Sequence, residues 1–184
     1  MKRVKFLLLL TLLGQPLSAF AISAIRISYG DGTPDQMRGV RVALQWNWGK
    51  RFYSLSRWAY ISGFWDTSIA YWHVRPQVSF QPSHLLSFAA SPILTLVKTQ
   101  PWHHLQPYVE AGLGIAKLSK QNLGHRRFGS TFAFQDTFGI GLRFGPREQF
   151  DVSYHYLHYS NAGLFPPNEG IDVSQLVSLR YHFK

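Results

Sequence analysis

The sequence predicts an all-β chain of eight antiparallel strands closed into a transmembrane β-barrel of the outer-membrane type. Three observations predict it. Apolar and polar residues alternate with a period of two in one stretch after another, and past the N-terminal leader no stretch keeps the three-to-four spacing of an amphipathic helix. Aromatic residues make up 16% of the chain and recur at the ends of the apolar faces, where Trp and Tyr meet a membrane–water interface. The opposite faces carry Arg41, Asp66, Glu110, Asp136 and Arg180, charges that a narrow lumen can pair while lipid covers the outside. A soluble lipocalin-like barrel, with its apolar face turned inward, is the competing fold, and those charged faces argue against it.

Residues 1–21 read as a secretion signal: Lys2, Arg3 and Lys5 precede the apolar run "FLLLLTLL", and Ala19-x-Ala21 suits a signal peptidase. The apolar run is short of the roughly 20 residues a membrane helix needs. The mature chain then begins at Ile22 and has 163 residues, enough for one domain, 22–184.

The strands follow in order. "RISYG" is the first. "VRVALQWNW" is the cleanest, with Val40, Val42, Leu44, Trp46 and Trp48 on one face and Arg41, Ala43, Gln45 and Asn47 on the other. In "FWDTSIAYW", Trp65, Thr67, Ile69 and Tyr71 oppose Asp66, Ser68 and Ala70. "LLSFAASPILTLV" is the fourth. In "YVEAGLGIA", Val109, Ala111, Leu113 and Ile115 oppose Glu110, Gly112 and Gly114. "FAFQDTFGIGLRF" alternates less cleanly, and "FDVSYHYLHYS" is the seventh. "VSQLVSLRYHF" is the eighth, with Val173, Val177, Leu179, Tyr181 and Phe183 expected on one face. Turn-rich segments separate them, and none has the composition of a domain linker.

Charge and composition narrow the function classes. The formal charge of +10 falls to +7 without the three leader cations, which for an exported chain favours lipid phosphates over nucleic acid as partner. The chain has no cysteine, which removes disulfides, thiolate metal sites and cysteine nucleophiles together. His103 and His104, and His125 with Arg126 and Arg127, lack a carboxylate set at metal-ligand spacing, so no metal or other cofactor is expected.

The seventh strand carries the chemistry. An even strand number puts both termini on one side; with that side periplasmic, as the rule for bacterial single-chain barrels implies, this strand climbs outward and His158 and Ser160 stand near the outer rim. Residues i and i+2 share a face of a strand, and Tyr156, Tyr154 and Val152 below them belong to the lipid-facing set. A lipid-facing His and Ser left idle would each cost several kcal/mol, roughly 2 to 7 by transfer scales. A role in lipid chemistry explains the placement: an imidazole activates the hydroxyl, and a third group must fix the imidazole's tautomer. Two carboxylates lie nearby in "NEGID", Glu169 and Asp172.

The longer string "HYSNAGLFPPNEGID" resembles the signature of the lipid A 3-O-deacylase family, eight-stranded outer-membrane barrels that remove an ester-linked acyl chain from lipopolysaccharide. "LQWNW", "SGFWDTSIAYW", "QPYVEAGLGIA" and "FAFQDTFGIGLRF" resemble family segments in the same order, so the likeness spans most of the mature chain. It implies His158 as the base and Ser160 as the nucleophile. It also implies Asn161, through its side chain, and Gly163, through its backbone N–H, as oxyanion donors. Asp172 stands where the family usually has the glutamate of its triad; it is one methylene shorter, and it is favoured over Glu169, which reaches further but falls three residues early. The implied partners are lipid A of lipopolysaccharide and membrane lipid. The resemblance allows a homodimer without establishing one.

Two other readings stand at this point. One is a non-catalytic small barrel of structural or adhesion type, in which "HYSNAG" is a rim feature. The other is a different outer-membrane lipid hydrolase or acyltransferase.

Overall fold

The computed structural model describes residues 21–33, 36–49, 51, 53–75 and 82–183, so the expected leader lies outside the described residues apart from Ala21. Strands run in the order β1 (Ala24–Thr33), β2 (Met37–Asn47), β3 (Tyr53–Ser54), β4 (Ala59–His73), β5 (His84–Lys98), β6 (Gln106–Leu118), β7 (Asn122–Leu123), β8 (Arg126–Arg127), β9 (Phe132–Phe144), β10 (Phe150–Ser160) and β11 (Ile171–His182). The eight long ones pair antiparallel with their neighbours, and β1 closes the ring on β11. Of the two-residue strands, β3 pairs antiparallel with the start of β4, and β7 with β8 forms a small hairpin in the 119–131 loop. Closure leaves none of the eight with an unpaired edge, the condition for backbone to sit in hydrocarbon.

Alternation sorts the side chains. Along β4, Asp66, Ser68 and Ala70 are buried, while Thr67, Ile69 and Tyr71 face out. The outer wall is an apolar belt that includes Ile27, Val42, Leu113, Phe138 and Leu179, all exposed. At the end where β1 begins and β11 finishes it is rimmed by rings in contact: Phe144 with Phe150, Phe150 with Tyr181, and Tyr181 with Phe183, at centroid distances of 5.9, 5.3 and 5.4 Å.

The lumen is filled in two layers. In the middle, Glu110 Oε1 forms an ion pair with Arg26 Nη2 at 2.7 Å and meets His155 Nε2 at 2.7 Å, while Arg180 donates to Asp151 at 2.6 Å. Arg41 and Gln45 hold Asp66. The ring of His155 occupies the space over Gly139, where a Cβ would lie 2.2 Å from its Cδ2, so a side chain there would break the layer. Toward the other end the lumen turns apolar: Met37, Trp72, Leu85, Leu118, Leu157, Tyr159, Ile171 and Val173 form one buried cluster. Each sits near the strand end that β10 reaches at Ser160, giving that end a buried apolar floor.

Two expectations are corrected. Asp136 does not line the lumen: its neighbours Gln135 and Thr137 are buried, and Asp136 itself faces outward with Phe134 and Phe138. Val173 does not share the lipid face of Val177 and Leu179 but is fully buried. The cause is a bulge in β11. Against β10 the register steps from His155↔Leu176 to Leu157↔Val173, and against β1 from Asp31↔Gln175 to Thr33↔Asp172. Both neighbours advance two residues while β11 advances three. Ser174 and Gln175 therefore both face out, and the facing of every residue above them is reversed.

Candidate active site

That reversal decides where the acid points. Continued without a break from Arg180 and Ser178, strict alternation would send Asp172 into the lumen. With one extra residue it emerges on the outer face, directly opposite His158. There His158 Nδ1 meets Asp172 Oδ1 at 2.8 Å, with both side chains about one third exposed, at 30% and 37%. In-register residues of an antiparallel pair are close enough for the shorter carboxylate to reach.

Ser160 lies on the same face two residues above His158 and is half-buried. Among the described residues no hydrogen bond joins its Oγ to the imidazole. Two strand rises of about 3.3 Å separate the residues. Across the ladder Ser160 faces Phe134, which in turn faces Ile115, so the hydroxyl borders an apolar wall on which an acyl chain can lie.

His158 has a second carboxylate for a neighbour. Asp136 stands opposite it on β9, as Asp172 does on β11, so two acids flank the imidazole on the lipid-facing wall. Gly170 covers the ring from above: its φ is +64°, and a Cβ there would lie 3.2 Å from His158 Cε1. A residue with a side chain would be strained in that conformation and would push on the imidazole.

The other acid is spent elsewhere. Glu169 Oε2 accepts the backbone N–H of Arg127 at 2.7 Å, and Glu169 O accepts from Arg126 Nη1 at 2.8 Å. It ties the 161–170 loop to the 119–131 loop rather than to His158. This holds Arg126 and Arg127 against the loop that follows Ser160, and on β6 Lys117 donates to Thr131 Oγ1 at 2.5 Å.

Asn161, the expected side-chain oxyanion donor, is engaged within the loop that follows Ser160. Its side chain is 1% exposed and points into the loop, where Nδ2 donates to Phe128 O and Phe165 O, each at 2.6 Å. Its Oδ1 accepts the N–H of Gly163 at 2.9 Å, and its own N–H donates to Asn168 Oδ1 at 2.8 Å. Both side-chain hydrogens are therefore used, and the Gly163 N–H reaches an oxyanion only by sharing its bond to Asn161. The N–H of Ala162, at φ +55°, takes part in none of these bonds. Asn168 was legible only as part of the family string, and its role as a loop brace follows from the fold.

A consequence can be measured. Asn161→Asp keeps the shape but sets an unpaired buried carboxylate against two carbonyls, leaving both without a donor, and should lower stability by about 3–5 kcal/mol, the cost of an uncompensated buried charge. Urea unfolding in detergent is the check, with a wild-type midpoint as the result against it.

A profile of the lipid A 3-O-deacylase (PagL) family matches residues 38–182. The lipid A deacylase PagL of Pseudomonas aeruginosa is 32% identical over 142 residues, which cover 74% of this chain and 73% of that one. The namesake from Bordetella bronchiseptica is 34% identical over 98 residues, covering 53% and 51%. The crystal structure of the outer membrane enzyme PagL superposes with a TM-score of 0.76 at 26% identity, covering 88% of this chain and all of that one. With the barrel, the outward His158 and Ser160 and this match across most of its length, the chain belongs to the lipid A 3-O-deacylase family.

Proposed function

We propose that the chain carries out its family's reaction, hydrolysis of the 3-O-linked acyl ester of lipid A in the outer membrane, through a Ser160–His158–Asp172 triad on its lipid-facing wall. One observation carries the reading: the 2.8 Å contact of His158 Nδ1 with Asp172, beside a serine, on a surface where lipid is the only substrate within reach. The contact leaves Nε2 as the proton acceptor.

In the first half-reaction Ser160 Oγ attacks the ester carbonyl and its proton passes to His158. The tetrahedral oxyanion is held by the loop amides of Ala162 and Gly163, the second sharing its bond to Asn161. Collapse breaks the bond to the sugar oxygen, which leaves with the proton from His158. Water then cleaves the acyl-serine by the same route, releasing the fatty acid. Asp172 orients the imidazole and stabilises its charged form throughout. Arg126, Arg127 and Lys117, at the rim, face the level of the lipid A phosphates.

Mass spectrometry of lipid A from cells with and without the protein tests this. Loss of one primary 3-O-linked acyl chain is expected. An unchanged lipid A would support a non-catalytic barrel, and an altered phospholipid pool another lipid enzyme.

A further inference from the structure

We infer that Tyr156 is a positioning residue for the reaction, its hydroxyl pinning Asp172 so that the acid stays aimed at His158. This rests on the triad reading above. Tyr156 lies on the same outward face of β10, two residues below His158 and diagonal to Asp172, within the reach of an aromatic side chain. Its Oη donates to Asp172 Oδ1, the same oxygen that meets His158 Nδ1.

The need for a pin comes from the bulge. Asp172 stands just above the point where β11 slips by one residue, the least regular part of its strand. Its side chain is also part-exposed on the lipid face, where packing does little to select a rotamer. Two tyrosines of β10 reach across to this stretch. Tyr154 Oη donates to Ser174 O at 3.0 Å and so satisfies a carbonyl of the bulge, whereas Tyr156 ends on the carboxylate itself. A phenol that only anchored the barrel at the interface would turn its hydroxyl to water or headgroups. Here the hydroxyl instead fixes the rotamer in which Oδ1 lies 2.8 Å from the imidazole. A hydrogen bond to a charged group is among the stronger neutral–ion contacts, so its loss should register in the chemical step.

The pair Tyr154 and Tyr156 provides an internal control. Tyr156→Phe should lower kcat about 10-fold and leave KM within about twofold, with the barrel still folded and heat-modifiable, because the lost bond orients a catalytic group and touches no part of the ground-state lipid. Tyr154→Phe should leave kcat within about twofold. In an Asp172→Asn background, adding Tyr156→Phe should change kcat by less than about twofold, since the residue acts through that carboxylate. The inference is overturned by a wild-type kcat in Tyr156→Phe. It is equally overturned by an undiminished loss in the Asp172→Asn background, or by the same loss in Tyr154→Phe, which would assign the effect to bulge stiffness. If Asp172→Asn alone keeps full activity, the triad itself falls. If Asp172→Asn is inactive and Tyr156→Phe is silent, only Tyr156 loses its role.

Discussion

Ser160→Ala is expected to lower kcat by about 10⁴–10⁶-fold, the range seen when a triad nucleophile is removed, while leaving a folded barrel. The two halves of that expectation have separate grounds. The side chain is half-buried on the outer wall and makes no hydrogen bond among the described residues, so its removal takes nothing from the lumen layers that hold the barrel together. The oxygen has no substitute, because the apolar neighbours Phe134 and Ile115 cannot attack an ester. Lipid A mass spectra report the loss, and the shift between heated and unheated samples on a gel reports the fold. Retention of more than a few per cent of activity would remove Ser160 as the nucleophile. His158→Ala should be about as severe, since nucleophile and base act as one unit and their effects are not additive.

The strand that carries this pair was legible from the sequence because it is regular. From Val152 to Ser160, β10 alternates without a break, so a period of two puts His158 and Ser160 on the lipid side and Asp151, Ser153 and His155 in the lumen. β2 and β4 are regular in the same way. The pairing of Asp172 with His158 was suggested by likeness to a family string and not by periodicity. Alternation counted from Arg180 sends Asp172 inward, and only the extra residue at Ser174 and Gln175 turns it out, with no glycine or proline in that stretch to mark the irregularity. Asp136 was misplaced for a related reason: a carboxylate among apolar residues reads as a lumen group, and it faces lipid here beside His158. Asn161 was read as an oxyanion donor from the family string. Its hydrogen bonds to Phe128 and Phe165, 33 and 4 residues away, depend on how two loops meet, which no local pattern contains.

Asp172→Asn is the second large effect expected, about 10⁴-fold in kcat with the fold intact, by analogy with the loss of a triad carboxylate that leaves geometry unchanged but favours the wrong imidazole tautomer. The amide still fits between His158 and Tyr156, yet it carries no charge to stabilise the imidazolium, and its NH₂ competes with Nδ1 for the donor role. Glu169→Gln should cost far less than Asp172→Asn. Its carboxylate serves the backbone N–H of Arg127, an exposed loop contact that the amide oxygen of Gln can keep. Asp172→Glu is the sharper probe. The wild-type contact is already 2.8 Å across directly opposed residues, so an added methylene must be taken up by a tilt of the side chain, and Tyr156 must follow or let go. Partial activity is expected, above that of Asp172→Asn and below wild type, because the charge survives while its aim is loosened. Initial rates on purified lipid A, with all three variants at matched folded fractions, give the ranking. If Glu169→Gln proves severe and Asp172→Asn mild, the acid has been assigned to the wrong carboxylate and the 2.8 Å contact is a bystander, with His158 and Ser160 still in place.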